Sequence, residues 1–135
     1  MSDRAVCLCG RVALNADFLR RNFTACHCDM CRRWGGLWMA VECSNVRFEG
    51  EELLSTYNSS AWAERGFCAH CGTHLFYKVK REETYYIPVG LFDGVKNFTL
   101  KRQIYIDRKP DYYCLANETV NFTGAELTVA EPPDE

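Results

Sequence analysis

No stretch of this sequence approaches the roughly 20 apolar residues that a bilayer-crossing helix requires. Its opening, Met1-Ser2-Asp3-Arg4-Ala5-Val6-Cys7, lacks the apolar segment of a secretory signal. The expected location is therefore the cytosol, with no membrane partner. Positive charge is not in excess either: 16 Lys and Arg stand against 18 Asp and Glu, for a formal net charge of -2. Basic residues gather only in pairs, such as Arg20-Arg21, Arg32-Arg33 and Lys101-Arg102. Nucleic-acid grooves usually carry a basic stripe or a clear basic surplus, so this balance points away from nucleic acid. Internal repeats and low-complexity linkers are absent, and 135 residues suit one hydrophobic core. The expected organisation is a single domain over 1–129 with an acidic tail over 130–135. Nothing in the composition speaks to oligomeric state.

Cysteine is the residue present in surplus. There are nine, an odd number. A disulfide framework needs an oxidising compartment, and no segment directs the chain to one. Five Asn-x-Ser/Thr tripeptides, at Asn22, Asn58, Asn97, Asn117 and Asn121, would need the same route to be glycosylated and are read as chance. Metal ligation is the remaining reading for most of the thiols.

Short alternating or β-branched and aromatic runs predict strands over Arg11 to Ala16, Leu37 to Glu42, Leu53 to Asn58, Thr73 to Lys80, Tyr85 to Leu91 and Lys101 to Ile106. Gly, Asn and Asp between them supply turn punctuation. The best helical segment is short, Asp29 to Trp34, with a possible turn over Asp93 to Asn97. The predicted class is mainly β, with few short helices.

Three cysteine clusters stand out: Cys7-Leu8-Cys9-Gly10, Cys26-His27-Cys28-Asp29-Met30-Cys31 and Phe67-Cys68-Ala69-His70-Cys71-Gly72. A Cys-x-x-Cys turn can curl two sulfurs toward one point, and a following Gly permits the positive φ of a tight knuckle. In Cys-x-Cys on extended chain, the period of two puts both side chains on one face. The two Gly-followed pairs, Cys7/Cys9 and Cys68/Cys71, make a closed four-thiolate zinc site. Cys26, Cys28 and Cys31 offer three ligands, the pattern of a zinc with one open coordination place. The triple would instead be structural if His27, His70, His74 or Cys43 closed it. Otherwise the histidines are read as packing or surface residues, and Cys43 and Cys114 as buried small hydrophobes. Redox dithiol chemistry at Cys68/Cys71 is a further reading that the other two clusters disfavour.

Arg32 and Arg33 follow the triple and could meet substrate carboxylates; a solvated helix face is the plain alternative. Glu64 and Tyr57 are acid–base candidates. The competing function is a non-catalytic zinc-stabilised interaction module with aromatic contacts from Trp34, Trp38 or Trp62.

The segments Cys7-x-Cys9-Gly10-x-Val12, Cys26-His27-Cys28-x-x-Cys31-Arg32 and Glu64-Arg65-Gly66-Phe67-Cys68-x-x-Cys71-Gly72-x-x-Leu75 resemble the glutathione-dependent formaldehyde-activating enzyme family, which also includes centromere protein V. The likeness runs from Cys7 to about Tyr113. It implies a β-tent of antiparallel sheets, with a structural zinc on Cys7, Cys9, Cys68 and Cys71. A second, catalytic zinc on Cys26, Cys28 and Cys31 follows from the same likeness. The implied activity is carbon–sulfur lyase chemistry that joins glutathione and formaldehyde as S-(hydroxymethyl)glutathione. Departures from the family pattern are Gln103, where members often carry His, and Trp34-Gly35-Gly36, where many carry Trp-His-Gly.

Overall fold

A twelve-residue strand organises the molecule. In the computed structural model, which describes residues 3–130, the chain forms β1 (Asp3–Val6), β2 (Ala13–Leu19), β3 (Asn22–Cys26), α1 (Asp29–Gly35) and that strand, β4 (Trp38–Glu49). It continues through β5 (Leu54–Tyr57), β6 (Ala63–Cys68), β7 (His74–Val79), β8 (Thr84–Pro88), β9 (Thr99–Ile104), β10 (Val120–Phe122) and α2 (Gly124–Ala130). Beyond Ala130 the expected acidic tail lies outside the described residues.

The sheet order is β10-β9-β3-β4-β8-β7-β6-β5, with β1 on β2 and β2 on β4. One edge of β4 is shared: Trp38 to Ala40 pair with β3, and Cys43 to Glu49 pair with β2. All six predicted runs became strands, and the predicted helix became α1. Most pairings are antiparallel as expected, but β9 runs parallel to both β3 and β10. A strand returning after a long excursion is free to pair this way; a hairpin is not.

Pleating sends alternate residues of β4 to opposite faces, and each face has its own core. Val41 and Cys43 join Leu14, Leu75, Phe76 and Ile87 on one side. Trp38 and Ala40 join Cys26 and Cys31 on the other, with Trp34, Tyr77, Tyr86 and Tyr105 packed around them. Each fully buried large side chain contributes about 1.5–3 kcal/mol to this arrangement. The β6–β7 register slips between Gly66 and Phe67, so that Leu75 and Phe76, adjacent on β7, both enter the first core. Gly66 makes room: a Cβ there would lie 2.3 Å from a Phe76 ring carbon.

The helices have legible starts. Cys28 caps α1, its sulfur accepting from the Cys31 amide, with Asp29 in the first turn and Arg32 and Arg33 in the last. Before α2, the Thr123 amide donates to Glu126 Oε1 at 2.7 Å and the Glu126 amide donates to Thr123 Oγ1 at 3.2 Å. That reciprocal pair is a capping box.

Candidate metal centres

Cys7 and Cys9 sit on the turn after β1; Cys68 ends β6, and Cys71 sits on the turn between β6 and β7. The two turns are built alike. In each, a glycine at positive φ (Gly10, +82°; Gly72, +81°) donates its amide to the carbonyl of the leading cysteine, Cys7 or Cys68, at 3.0 and 2.7 Å. Amides also point at sulfur, Val12 N to Cys7 Sγ and Cys71 N to Cys68 Sγ, both at 3.4 Å. Such donors offset thiolate charge. The turns are joined by Thr73: its Oγ1 accepts from the Leu8 amide at 3.0 Å and its hydroxyl donates to Cys71 Sγ at 3.1 Å. That hydroxyl bond is the main reason the Cys71 thiol is held down at about 5.

The four sulfurs all lie within 4.8 Å of one another. Cys7 Sγ is 3.6 Å from Cys9 Sγ, which is 3.9 Å from Cys68 Sγ. Tetrahedral zinc with bonds of about 2.3 Å would set neighbouring sulfurs about 3.8 Å apart. The separations bracket that edge, and a disulfide would need about 2.05 Å. All nine cysteines are free thiols. The donor set fits zinc.

On the opposite face, Cys26 ends β3, Cys28 caps α1 and Cys31 faces inward from its first turn. Their sulfurs also lie within 4.8 Å of one another. Among the described residues no fourth Cys, His, Asp or Glu joins them. Cys28 and Cys31 lie against Cys26 and push its thiol up, whereas the bond from Cys26 pulls Cys28 down. The three thiols therefore titrate as one coupled group.

The alternatives for a fourth ligand lie elsewhere. His27 is fully buried with both ring nitrogens engaged. Gln103 Nε2 donates to Thr119 Oγ1 at 2.9 Å, which turns Gln103 Oε1 toward His27 Nε2 at 2.8 Å; Nδ1 then accepts from the Tyr113 hydroxyl at 2.7 Å. Burial lowers the His27 pKa, so the ring stays neutral. Gln103, one of the two departures from the family pattern, thus anchors the residue between two of the cysteines. His70 is exposed. His74 stacks on Trp34, with ring centroids 4.1 Å apart. Cys43 is buried in the other core, as expected. Cys114 is exposed, contrary to its expected burial. Its apolar neighbourhood is a surface strap: Tyr113 is tied down by His27, while Tyr112 points outward.

Arg32 is committed, its Nε donating to the His27 carbonyl at 3.1 Å and its Nη2 pairing with Asp29 at 2.6 Å. Arg108 holds the other Asp29 oxygen at 2.7 Å. Arg32 and the exposed Arg33 line a cavity of about 450 Å³ with Tyr112, Tyr113 and Leu115. A second cavity of about 470 Å³ lies beside Trp38, Gly72, His74 and Pro88. Trp38 is buried and Trp34 and Trp62 half-buried, which makes them packing residues. Tyr57 is 66% exposed, and Glu64 lies across from Lys78 in the sheet. Neither packs on the triple, whereas Tyr105 does, in a left-handed backbone conformation with φ of 54°.

Arg65 is the neighbour of the triple that the sequence did not mark with a role. It is 4% exposed, and its Nη2 lies 4.0 Å from Cys31 Sγ. Its position on β6, three before Cys68, was the available signal, since odd spacing on a strand changes face.

An uncharacterised lyase of Schizosaccharomyces pombe is 39% identical over 124 residues, 90% of each chain. A crystal structure of a Rhodobacter sphaeroides protein superposes with a TM-score of 0.60 at 27% identity, covering 69% of this chain and 90% of that one. The family model described as glutathione-dependent formaldehyde-activating enzyme matches residues 3–108, and the chain belongs to that family.

Proposed function

We propose that this protein is a zinc-dependent carbon–sulfur lyase that forms or cleaves an S-hydroxymethyl adduct between a glutathione-like thiol and a small aldehyde such as formaldehyde. The observation that carries the reading is the contrast between the two clusters. Four sulfurs close one site, whereas three converge at the other without a fourth protein ligand among the described residues. A fully enclosed metal is structural, and a place left for substrate is the mark of a working one. Family membership and the lyase-named yeast relative support the same class.

In this reading each chain takes two zinc ions. Cys7, Cys9, Cys68 and Cys71 hold the structural one, and Cys26, Cys28 and Cys31 the catalytic one. Zinc in the triple would lower the pKa of a substrate thiol and keep it as thiolate. The substrate sulfur bonds to the aldehyde carbon as the C=O π bond breaks, and the proton given up by the thiol ends on the oxygen. Cleavage is the reverse. The chain's part is to position and to exclude water. The rings of Trp34, Trp38, Tyr77, Tyr86 and Tyr105 pack around the triple. Burial and the neighbouring Cys28 charge raise the Tyr105 pKa, keeping its hydroxyl protonated as a donor. Arg32 is braced by Asp29 and shares the cavity beside α1 with Arg33, whose guanidinium is available to a carboxylate of a peptide thiol.

The test follows adduct formation by zinc-loaded protein supplied with glutathione and formaldehyde, against Cys28→Ala. The parent should be faster by a wide margin. Equal rates would remove the enzyme reading and leave a zinc-stabilised interaction module.

A further inference from the structure

Arg65 is a permanent cation placed where a protein does not ordinarily keep one. Guanidinium stays protonated under all physiological conditions, and burying such a charge without a partner costs several kcal/mol. Yet Arg65 is 4% exposed, its Nη1 is buried with no hydrogen-bond partner, and no carboxylate pairs with it among the described residues. Nη2 reaches only sulfur: Cys31 Sγ at 4.0 Å and Met30 Sδ at 3.9 Å. The guanidinium carbon lies over two rings, 4.9 Å from the Trp34 centroid and 4.8 Å from that of Tyr77. Such contacts orient a cation and offset part of its desolvation, but they supply no negative charge.

We propose that Arg65 is the counter-ion of the three-cysteine site, a positioning residue that offsets the thiolate charge gathered there and leaves Nη1 free for the incoming thiol. The inference rests on the open-site reading above. Three thiolates around Zn²⁺ carry a net charge of -1, and a fourth from substrate makes -2. With Arg65 beside them the sums become zero and -1, so the fourth sulfur enters without raising the buried charge beyond a single unit. Arg32 does not serve this purpose, since its guanidinium is turned away to the His27 carbonyl and Asp29. The carrier strand holds the cation firmly in place. β6 is paired on both sides, to β5 and β7, and the rings flanking the guanidinium come from α1 and β7, so its reach is fixed.

The experiment loads the parent, Arg65→Gln and Arg65→Lys with Co²⁺ in place of zinc. Sulfur-to-cobalt absorption then reports the metal at each site, and a competing chelator ranks affinities. Titration with 2-mercaptoethanol, a neutral thiol, measures entry of a fourth sulfur without help from substrate carboxylates. We expect Arg65→Gln to lose metal from the triple about tenfold more readily or worse, and to weaken thiol binding further. Arg65→Lys should recover most of both, and the four-cysteine site should hold metal alike in all three. A parent that binds only one metal would sink the open-site reading itself. A parent that binds two, with Arg65→Gln matching it in metal and thiol affinity, would overturn the counter-ion. Failure of Arg65→Lys to do better than Arg65→Gln, with melting temperatures equal, would overturn it too, because shape rather than charge would then matter.

Discussion

Replacing Cys68 by Ala should destabilise the fold more than any other single cysteine substitution. Cys68 is fully buried in the first core, and its sulfur meets that of Cys9 across 59 residues of chain. A cross-link closing a loop of that length removes about 4 kcal/mol of unfolded-chain entropy in the loop-closure description. With metal in place of a covalent bond, the same constraint holds only while the site is closed. Against a total stability of about 5–15 kcal/mol this is a large share, and for a domain of this size it corresponds to a fall in melting temperature of roughly 10–15 °C. The assay is thermal melting of parent and Cys68→Ala, each with and without chelator. The parent should drop on chelation to near the variant, and the variant should respond less. Cys43→Ala is the control: its thiol is equally buried but belongs to neither cluster, so it should lose about 1 kcal/mol of packing and keep the full chelator response. Cys68→Ala melting with the parent would refute the four-sulfur staple.

Two further perturbations probe the frame. Gly66→Ala would bring a Cβ within 2.3 to 2.9 Å of three Phe76 ring carbons, in a ring already held by Phe48 and Tyr85. It should cost about 1–3 kcal/mol in a denaturant melt, partly recovered by adding Phe76→Leu, and strict additivity of the two changes would contradict the packing account. Arg4 grips both Glu49 oxygens and Asn15 adds a third bond, which together hold the Glu49 carboxyl at about 2. A depressed carboxylate pKa stabilises the fold above its unfolded value of about 4.3 and loses that help as pH falls through about 2. Carboxyl NMR should place the Glu49 midpoint near the lower figure and move it up in Arg4→Ala; an unmoved midpoint would contradict the pairing.

The cysteine partition was legible because ligand chemistry is local: Cys-x-Cys-Gly and Cys-x-x-Cys-Gly spell out the turns that the structure builds. Strands were legible where side chains alternate. β6 was not, since Ala-Glu-Arg-Gly-Phe-Cys buries an arginine and a glycine and inverts the usual polar pattern. β3 hid for a related reason, its inward residues being a cysteine and an alanine, and β10 is three residues long. α2 does carry a local start signal, Thr123-Gly-Ala-Glu126 ahead of Leu127, which the reading of strands and turns passed over. The parallel partners of β9 depend on long-range pairing that no short window encodes. Arg65 was visible as a letter but not as a role, because its meaning lies in what distant parts of the chain bring beside it.

Cys68 and Arg65 ride the same short strand with their side chains on opposite sides. An ion clamping the turn at one end would steady the strand whose pairing holds the cation beside Cys31. Stripping that ion would loosen the end of the strand nearest the four sulfurs.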